Sequence, residues 1–215
     1  MLPEQPLRDR FLNQLDAQLR RELAVPGGAR LCVAYSGGTD STALLTALTA
    51  LAPVRGYRVR AVHVNHGLQA EADAWEHRCR ANCAALGVPF QVHRWQGGVP
   101  RGESEEAAAR AGRYALLAAA LAEGEWLATA HQADDQAETG LLFLARGAGL
   151  DGLAGIEPRR PFGRGVLVRP LLPFRRRQLA EFAARCGLDT VADPANAADR
   201  YARVRARYVL LPCLT

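Results

Sequence analysis

The segment Leu31–Leu45 limits the possible folds of this chain more than any other, because an apolar run gives way to a polar glycine turn and then resumes with helical spacing. That pattern predicts a β-strand, a loop and an α-helix in succession. The loop, residues 36–41, would direct backbone N–H groups and hydroxyls to one point, beside the positive N-terminus of the helix. We therefore predict that it binds phosphate or pyrophosphate.

Asp40 distinguishes this loop from the common phosphate-binding loop. The pattern G-x-x-x-x-G-K-[ST] is absent, and no lysine can reach a phosphate because all 27 basic residues of the chain are arginines. A carboxylate inside an anion-binding turn repels phosphate unless a cation lies between the two groups, so Asp40 is interpreted as an anchor for the Mg²⁺ of a bound nucleotide. The alternative is an ordinary glycine turn in which Asp40 only occupies the first turn of the helix.

The rest of the chain alternates predicted strands with predicted helices. After the first strand and helix, apolar patterns predict strands over 58–64, 90–95, 126–130 and 166–169, and helices over 70–86, 104–122, 134–145, 174–186 and 200–211. This alternation predicts the α/β class with a doubly wound parallel sheet, whose ligands bind at the carboxyl ends of the strands. Ser36, His63 and His131 all fall at such ends. We expect one domain, with an N-terminal helix in residues 1–26, an α/β core in 28–147 and a helical, basic tail in 148–215 packed on that core.

Length and composition agree with one domain of this kind. The chain has 215 residues, of which 49% are hydrophobic and 23% are charged, and no apolar run approaches the roughly 18 residues that span a membrane. The first residues lack the apolar segment of a signal peptide, so a cytoplasmic location without a membrane partner is expected. Five cysteines without a Cys-x-x-Cys pair argue against a disulfide framework or a zinc ribbon, and Cys79 and Cys83 are predicted to be buried apolar residues.

The positive charge is concentrated in the C-terminal quarter of the sequence. The net charge is +5, yet residues 159–215 hold 12 arginines against 4 acidic residues, whereas residues 1–158 hold 15 against 18. A basic segment attached to a neutral or acidic body is typical of a protein that binds a polyanion such as RNA. An arginine-rich face that is merely solvated is the alternative, and charge alone does not distinguish the two.

Three carboxylates follow a histidine at the end of the fourth predicted strand. His131 precedes Asp134, Asp135 and Glu138, which fall in the first turns of the next helix with Asp134 and Glu138 on one face. The functional interpretation is a pocket for a cationic substrate group. The alternatives are acidic residues that only complement the helix dipole, and a metal site, for which a second histidine at ligand spacing is missing.

A pair of arginines marks the helix predicted over 104–122. Arg110 and Arg113 lie on one side of that helix, where they could face a phosphate or an RNA backbone. Surface ion pairs within the helix would explain the two residues equally well.

The loop Ser36–Ser41 resembles the pyrophosphate loop of the N-type ATP pyrophosphatases, and its sequence matches their S-G-G-x-D-S pattern at all six positions. Several further motifs resemble, in order, those of the catalytic domain of the tRNA(Ile)-lysidine synthetase family, over a span from about Gly28 to Pro212. They are 63–68, 106–114, 131–139, 146–147, 150–153, 169–172, Asp193-Pro194 with Asn196, and the arginine ladder Arg203, Arg205 and Arg207 before 210–212.

Two departures from the family pattern are visible. Val204 stands where the family usually has Asn, which leaves one polar contact to RNA open. Many members continue into further domains that hold the tRNA, whereas this sequence stops at Thr215 and so resembles a short form of the family or a fragment.

The resemblance implies the fold of the adenine nucleotide alpha hydrolases and an ATP-dependent carbon–nitrogen ligase. Members adenylate the wobble cytidine of the isoleucine tRNA with a CAU anticodon, release pyrophosphate, and let free L-lysine displace AMP to give lysidine. ATP and Mg²⁺ are the implied cofactors, and this tRNA and L-lysine are the implied partners. The oligomeric state stays open, a homodimer included.

By this resemblance each candidate residue takes a role. Asp40, Asp134, Asp135 and Arg205 would be catalytic, and Asp40 would also hold the metal through the nucleotide. ATP binding would fall to Ser36, Gly37, Gly38, Thr39, Asp40, Ser41 and His63, lysine binding to Asp134, Asp135 and Glu138, and tRNA or phosphate binding to Arg110, Arg113, Arg203, Arg205 and Arg207. Two alternatives remain, a tRNA 2-thiolase of the same superfamily, which generally uses catalytic cysteines, and a nucleotide-binding module without catalysis.

Overall fold

The computed structural model describes residues 4–67, 70–102, 104–145, 147, 155–187 and 189–190. Within these residues six strands form one sheet: β1 (Arg30–Ala34), β2 (Arg58–Asn65), β3 (Phe90–Arg94), β4 (Trp126–Ala128), β5 (Arg159–Phe162) and β6 (Gly165–Val168). Their order across the sheet is β3-β2-β1-β4-β6-β5, and only the β5–β6 pair in this described sheet is antiparallel. The predicted α/β class is confirmed, with a mixed sheet that is mostly parallel.

The helices lie on both sides of the sheet. They are α1 (Glu4–Ala17), which continues through a π-helical turn (Gln18–Glu22), α2 (Thr39–Arg55), α3 (Ala72–Ala85), α4 (Glu105–Ala120), α5 (Ala133–Ala145) and α6 (Arg176–Cys186). The bounds of α3 to α6 lie within two residues of the predicted ones. The helix predicted over 200–211 lies outside the described residues.

The hairpin of β5 and β6 is the part of the sheet for which sequence analysis predicted only one strand. The two strands are joined by Gly163 and Arg164, and Gly163 adopts a φ of +54°. A two-residue turn that begins with glycine is a sequence signal for a β-hairpin, and Gly163-Arg164 is such a turn. A Cβ at Gly165 would lie 1.9 Å from the carbonyl oxygen of Glu125, so only glycine lets β6 approach so closely.

Two apolar clusters cover the two faces of the sheet. On one face, α1 packs against α6 through the rings of Phe11 and Phe182, whose centroids lie 4.3 Å apart. On the other face, Leu117 at the C-terminal end of α4 packs against Val62 and Leu127 of the sheet. None of the helices in the described part of the chain is long and apolar enough to cross a membrane.

The cysteines of α3 confirm one prediction from the sequence. Cys79 and Cys83 are fully buried in the cluster that α1 and α6 share. Burial raises the pKa of both thiols to about 12, so they stay protonated at neutral pH. Both residues therefore act as small apolar side chains of the core.

The strand order determines where the loops meet. β1 is the central strand, and its residue Val33 pairs with Ala61 of β2 on one side and with Ala128 of β4 on the other. Because these three strands are parallel, the segments that follow them leave the sheet at the same edge. The loop before α2 and the N-terminus of α5 are therefore neighbours.

Candidate active site

The predicted phosphate loop lies between the end of β1 and the start of α2. Gly37 adopts a φ of +83°, a conformation that favours glycine, and Gly38 is the N-cap residue of α2. The hydroxyl of Ser41 lies 3.0 Å from the hydroxyl of Ser36 and 3.0 Å from the carbonyl oxygen of Gly38. Since a glycine N-cap has no side chain to accept from the first N–H groups of the helix, this turn suits an anion.

Buried hydrogen bonds hold this loop on the sheet. The hydroxyl of the buried Tyr35 lies 3.2 Å from Thr42 Oγ1 and accepts a hydrogen bond of 2.9 Å from the side-chain amide of Asn82 on α3. The same amide donates to the carbonyl oxygen of Asp189 at 2.8 Å. Burial raises the pKa of the Tyr35 hydroxyl, so that it remains neutral and can both donate and accept.

Asp40 lies in the first turn of α2, directly after the glycines. Among the described residues, no group of three or more His, Cys, Asp or Glu side chains could hold a metal ion by itself. Mg²⁺ commonly binds through one or two carboxylates together with the phosphates of a nucleotide. A single carboxylate beside an anion-binding turn fits a Mg²⁺ of that kind.

His63 lies within β2 and not at its end, because the strand continues to Asn65. The ring is buried, and its Nδ1 lies 2.9 Å from the carbonyl oxygen of Tyr35. Burial lowers the pKa of His63, and the neutral ring can donate from Nδ1 to that oxygen. The geometry makes His63 a link between β2 and the start of the phosphate loop, while its contact with ATP stays a prediction.

The carboxylates predicted to bind a cation lie at the N-terminus of α5. Asp135 Oδ2 accepts the backbone N–H of Gln132 at 3.0 Å, and Gln132 Oε1 accepts the backbone N–H of Asp134 at 2.7 Å. These two bonds fix the first turn of the helix. Glu138, one turn further, is only 1% exposed. Such burial exceeds what an acid that merely complements a helix dipole requires.

One residue that faces these carboxylates was not predicted from the sequence. Arg176, the first residue of α6, donates its backbone N–H to Asp134 Oδ2 at 3.0 Å. Its guanidinium Nη2 lies 3.7 Å from Asp135 Oδ1 and 3.7 Å from Glu138 Oε1. The sequence signal was the run Arg175–Arg177, which the charge count includes only as part of the basic segment.

A cavity of about 210 Å³ separates the phosphate loop from α6. Its lining consists of small side chains, namely Thr39, Ala180, Ala183, Ala184 and Thr190. The space exists because α6 presents alanines toward the loop. Thus the middle of α6 faces Thr39 of the phosphate loop across this cavity, and its N-terminus faces the carboxylates of α5.

The two arginines predicted to face phosphate or RNA lie together on α4. Their guanidinium carbons lie 5.4 Å (Arg110) and 5.6 Å (Arg113) from the ring centroid of Tyr114. The Tyr114 ring in turn lies edge-on to Phe162 of β5, with centroids 5.9 Å apart. Arg113 also affects His66: burial of the His66 ring, together with the positive charge of Arg113, lowers the pKa of His66 to about 4. Arginines interleaved with aromatic rings are typical of a surface that binds nucleic acid.

Part of the C-terminal basic segment serves the fold. Arg159 donates to the carbonyl oxygen of Leu23 at 3.0 Å and lies over the ring of Trp126. Arg169 is buried and donates to the carbonyl oxygen of Glu157. The charge count therefore overstates the surface that is available to a polyanion. The ladder Arg203, Arg205 and Arg207 lies outside the described residues.

Comparisons of sequence show which known proteins this chain resembles. The family model of the PP-loop domain matches residues 10–214. The chain is 52% identical to the tRNA(Ile)-lysidine synthase of Alkalilimnicola ehrlichii, over 92% of this chain and 44% of that protein. It is 50% identical to the tRNA(Ile)-lysidine synthase of Xanthomonas campestris pv. campestris, over 86% of this chain and 43% of that protein. The chain thus spans less than half the length of these relatives.

A solved structure resembles the fold. The U34-tRNA thiolase NcsA from Methanococcus maripaludis superposes with a TM-score of 0.77, over 94% of this chain and 72% of that chain. Only 16% of the aligned residues are identical. The likeness therefore concerns the fold alone.

Proposed function

This chain belongs to the PP-loop domain family, and we propose that it forms the catalytic domain of a tRNA(Ile)-lysidine synthase. The observation that carries the proposal is the position of three carboxylates at the start of α5, two half-buried and one buried, beside a phosphate loop. Because β1 and β4 are adjacent and parallel, the loop 36–41 and the N-terminus of α5 leave the sheet side by side. The loop suits the pyrophosphate of ATP, and the carboxylates suit a substrate amine.

In the first step, the carbonyl oxygen of the wobble cytidine forms a bond to the α-phosphorus of ATP as the bond to pyrophosphate breaks. The loop residues Ser36, Gly37, Gly38, Thr39 and Ser41 would hold the pyrophosphate through N–H groups, hydroxyls and the dipole of α2. Asp40 would hold the Mg²⁺ of the nucleotide, which neutralises developing negative charge.

In the second step, the amine of free lysine forms a bond to the activated ring carbon, and the bond from that carbon to the oxygen of AMP breaks. Asp134 and Asp135 would pair with the ammonium groups of lysine, supported by Glu138, and one carboxylate would accept the proton that the amine loses. Phosphates of the tRNA or of the adenylate are assigned to Arg110, Arg113, Arg203, Arg205 and Arg207.

A tRNA 2-thiolase is the alternative enzyme of the same superfamily. Such enzymes generally need a reactive cysteine, and a reactive thiol has a low pKa and is exposed. Three of the four described cysteines, Cys32, Cys79 and Cys83, are fully buried, and burial raises each pKa to about 12, whereas Cys186 is half-buried. This environment speaks against the thiolase.

The deciding experiment uses an unmodified isoleucine tRNA transcript with a CAU anticodon. After incubation with the protein, ATP, Mg²⁺ and L-lysine, the tRNA is digested and its nucleosides are analysed by mass spectrometry. We expect lysidine to appear, and to be absent when ATP or lysine is omitted. A thiolated nucleoside that forms with a sulfur donor would favour the thiolase, and binding of ATP without any product would favour the non-catalytic module.

A further inference from the structure

The guanidinium of Arg176 lies near two carboxylates at the N-termini of α5 and α6. Arg176 Nη2 lies 3.7 Å from Asp135 and 3.7 Å from Glu138, within ion-pair range but beyond hydrogen-bond distance. Its side chain is 34% exposed. The two nearest carboxylates among the described residues thus accept no hydrogen bond from this guanidinium nitrogen. The group therefore keeps N–H donors for a ligand.

A second donor lies at the N-terminus of α5. Gln132 is fully buried, and its Oε1 accepts the backbone N–H of Asp134. Its Nε2 has no hydrogen-bond partner among the described residues. An unpartnered buried amide costs free energy, so its presence indicates that a ligand or a bound water completes the site.

A free amino acid carries the complementary pattern of charge. Its α-ammonium and α-carboxylate are attached to one carbon atom, so a site that recognises both needs an anionic and a cationic group a few ångströms apart. Asp135 and Glu138 supply the anionic groups, and the planar fork of Arg176 matches a carboxylate.

We propose that Arg176 binds the α-carboxylate of free lysine while the α5 carboxylates bind its α-ammonium, which leaves the ε-amine to attack the activated cytidine. The inference rests on the proposed function. It adds a reason why a free amino acid would be selected over a diamine, because a diamine lacks the group that Arg176 binds.

The test uses L-lysinamide, which keeps both amines of lysine and replaces the α-carboxylate by a neutral amide. The value of kcat/KM for incorporation into the tRNA is measured with L-lysine and with L-lysinamide in the wild-type protein and in two variants. Arg176→Gln removes the proposed contact. Arg177→Gln is the matched control, because Arg177 is the next residue of the same helix, is 88% exposed and pairs with Glu181.

We expect the wild-type protein and Arg177→Gln to prefer L-lysine by about 10- to 100-fold, the loss expected for one charge-assisted contact. In Arg176→Gln the preference should fall below about 3-fold, through a higher KM for L-lysine, with L-lysinamide nearly unchanged. An Arg176→Gln protein that keeps the full preference overturns the inference and leaves the proposed function in place. A wild-type protein that incorporates no L-lysine overturns both.

Circular dichroism shows whether Arg176→Gln folds. If it does not, Arg176→Lys takes its place, since lysine keeps the charge and loses the bidentate fork. A preference for L-lysine that is several-fold weaker than in the wild-type protein then supports the inference, and an unchanged preference overturns it.

Discussion

Asp134 of α5 accepts a hydrogen bond of 3.0 Å from the backbone N–H of Arg176, and this bond joins the N-termini of two helices whose contacting residues are 42 positions apart in the chain. Asp135, its neighbour, instead caps its own helix and faces the guanidinium of Arg176. The two adjacent carboxylates thus have different surroundings, and variants can separate their contributions to folding from those to substrate binding.

Asp134→Asn and Asp135→Asn should each raise the KM for lysine by about 10- to 100-fold. Each change keeps the size of the side chain but removes a charge, and a charge-assisted contact contributes about 1.5 to 3 kcal/mol. Steady-state kinetics with varied lysine measure the effect. Release of pyrophosphate in a single turnover without lysine should survive, and its loss would assign these carboxylates to the nucleotide.

Asp134→Ala should also lower the free energy of unfolding, because it removes the acceptor for the Arg176 N–H. Loss of a helix cap costs about 0.5 to 2 kcal/mol. Urea denaturation compares Asp134→Ala with Asp134→Asn, in which an amide oxygen can still accept the bond. Equal stability of the two variants would mean that the cap contributes nothing measurable.

Asp40→Asn should abolish pyrophosphate release far more than it weakens tRNA binding. The change removes the proposed anchor for Mg²⁺ in the first turn of α2 and leaves the basic surface intact. Pyrophosphate release and tRNA affinity are measured on the same preparation. Unchanged turnover in the variant would contradict the assignment of the loop.

The arginine ladder should contribute to the salt dependence of tRNA binding. If Arg203, Arg205 and Arg207 contact phosphates, each alanine replacement lowers the slope of log K against log salt by about one unit. Affinities at several salt concentrations give the slope, and Arg164→Ala, at the exposed turn between β5 and β6, is a control for the loss of one surface charge. A slope that is identical in the triple variant would identify the ladder as a merely solvated face.

Glu125→Gln should lower the free energy of unfolding by about 3 to 5 kcal/mol, because it leaves the guanidinium of Arg60 without its buried partner. The two side chains form a bidentate pair with both N···O distances at 2.6 Å, and Glu125 is buried. Urea denaturation at neutral pH measures the loss. Asp73→Asn is the control, since that carboxylate is 70% exposed and its pair with Arg94 should contribute little.

The same pair predicts a pH dependence. Burial alone would raise the pKa of Glu125, but the hydrogen bonds from Arg60 and from the Ala122 N–H outweigh it and lower the pKa below the ordinary value of 4.5. The stabilisation is therefore complete above about pH 4.5 and is lost as the pH falls through the lower folded-state pKa. The stability of Glu125→Gln should fall less steeply over this acid range, and parallel curves would contradict the prediction.

Local spacing was enough to predict most of the helices, strands and their ends. Ser104 caps α4 by accepting the Ala107 N–H at 3.2 Å, and Gly187 ends α6 with a φ of +66°, at helix ends that lie within one residue of the predicted ones. The phosphate loop could be found for the same reason, since its residues are contiguous and act through their own backbone. Hydrophobic periodicity, helix N-caps and helix-ending glycines depend on residues that are only a few positions apart, so they can be recognised in a single sequence.

Contacts between distant segments settled the partners of the charged side chains. Arg176 and Arg169 both belong to the basic segment, yet one faces the α5 carboxylates and the other is buried and donates to the carbonyl oxygen of Glu157. The order of charged residues along the sequence does not indicate which residue will face a given charged side chain. The strand order and the packing of helices on the sheet bring such groups together. A count of arginines therefore predicts a basic surface, while only the folded chain distributes those arginines between that surface, the core and the candidate site.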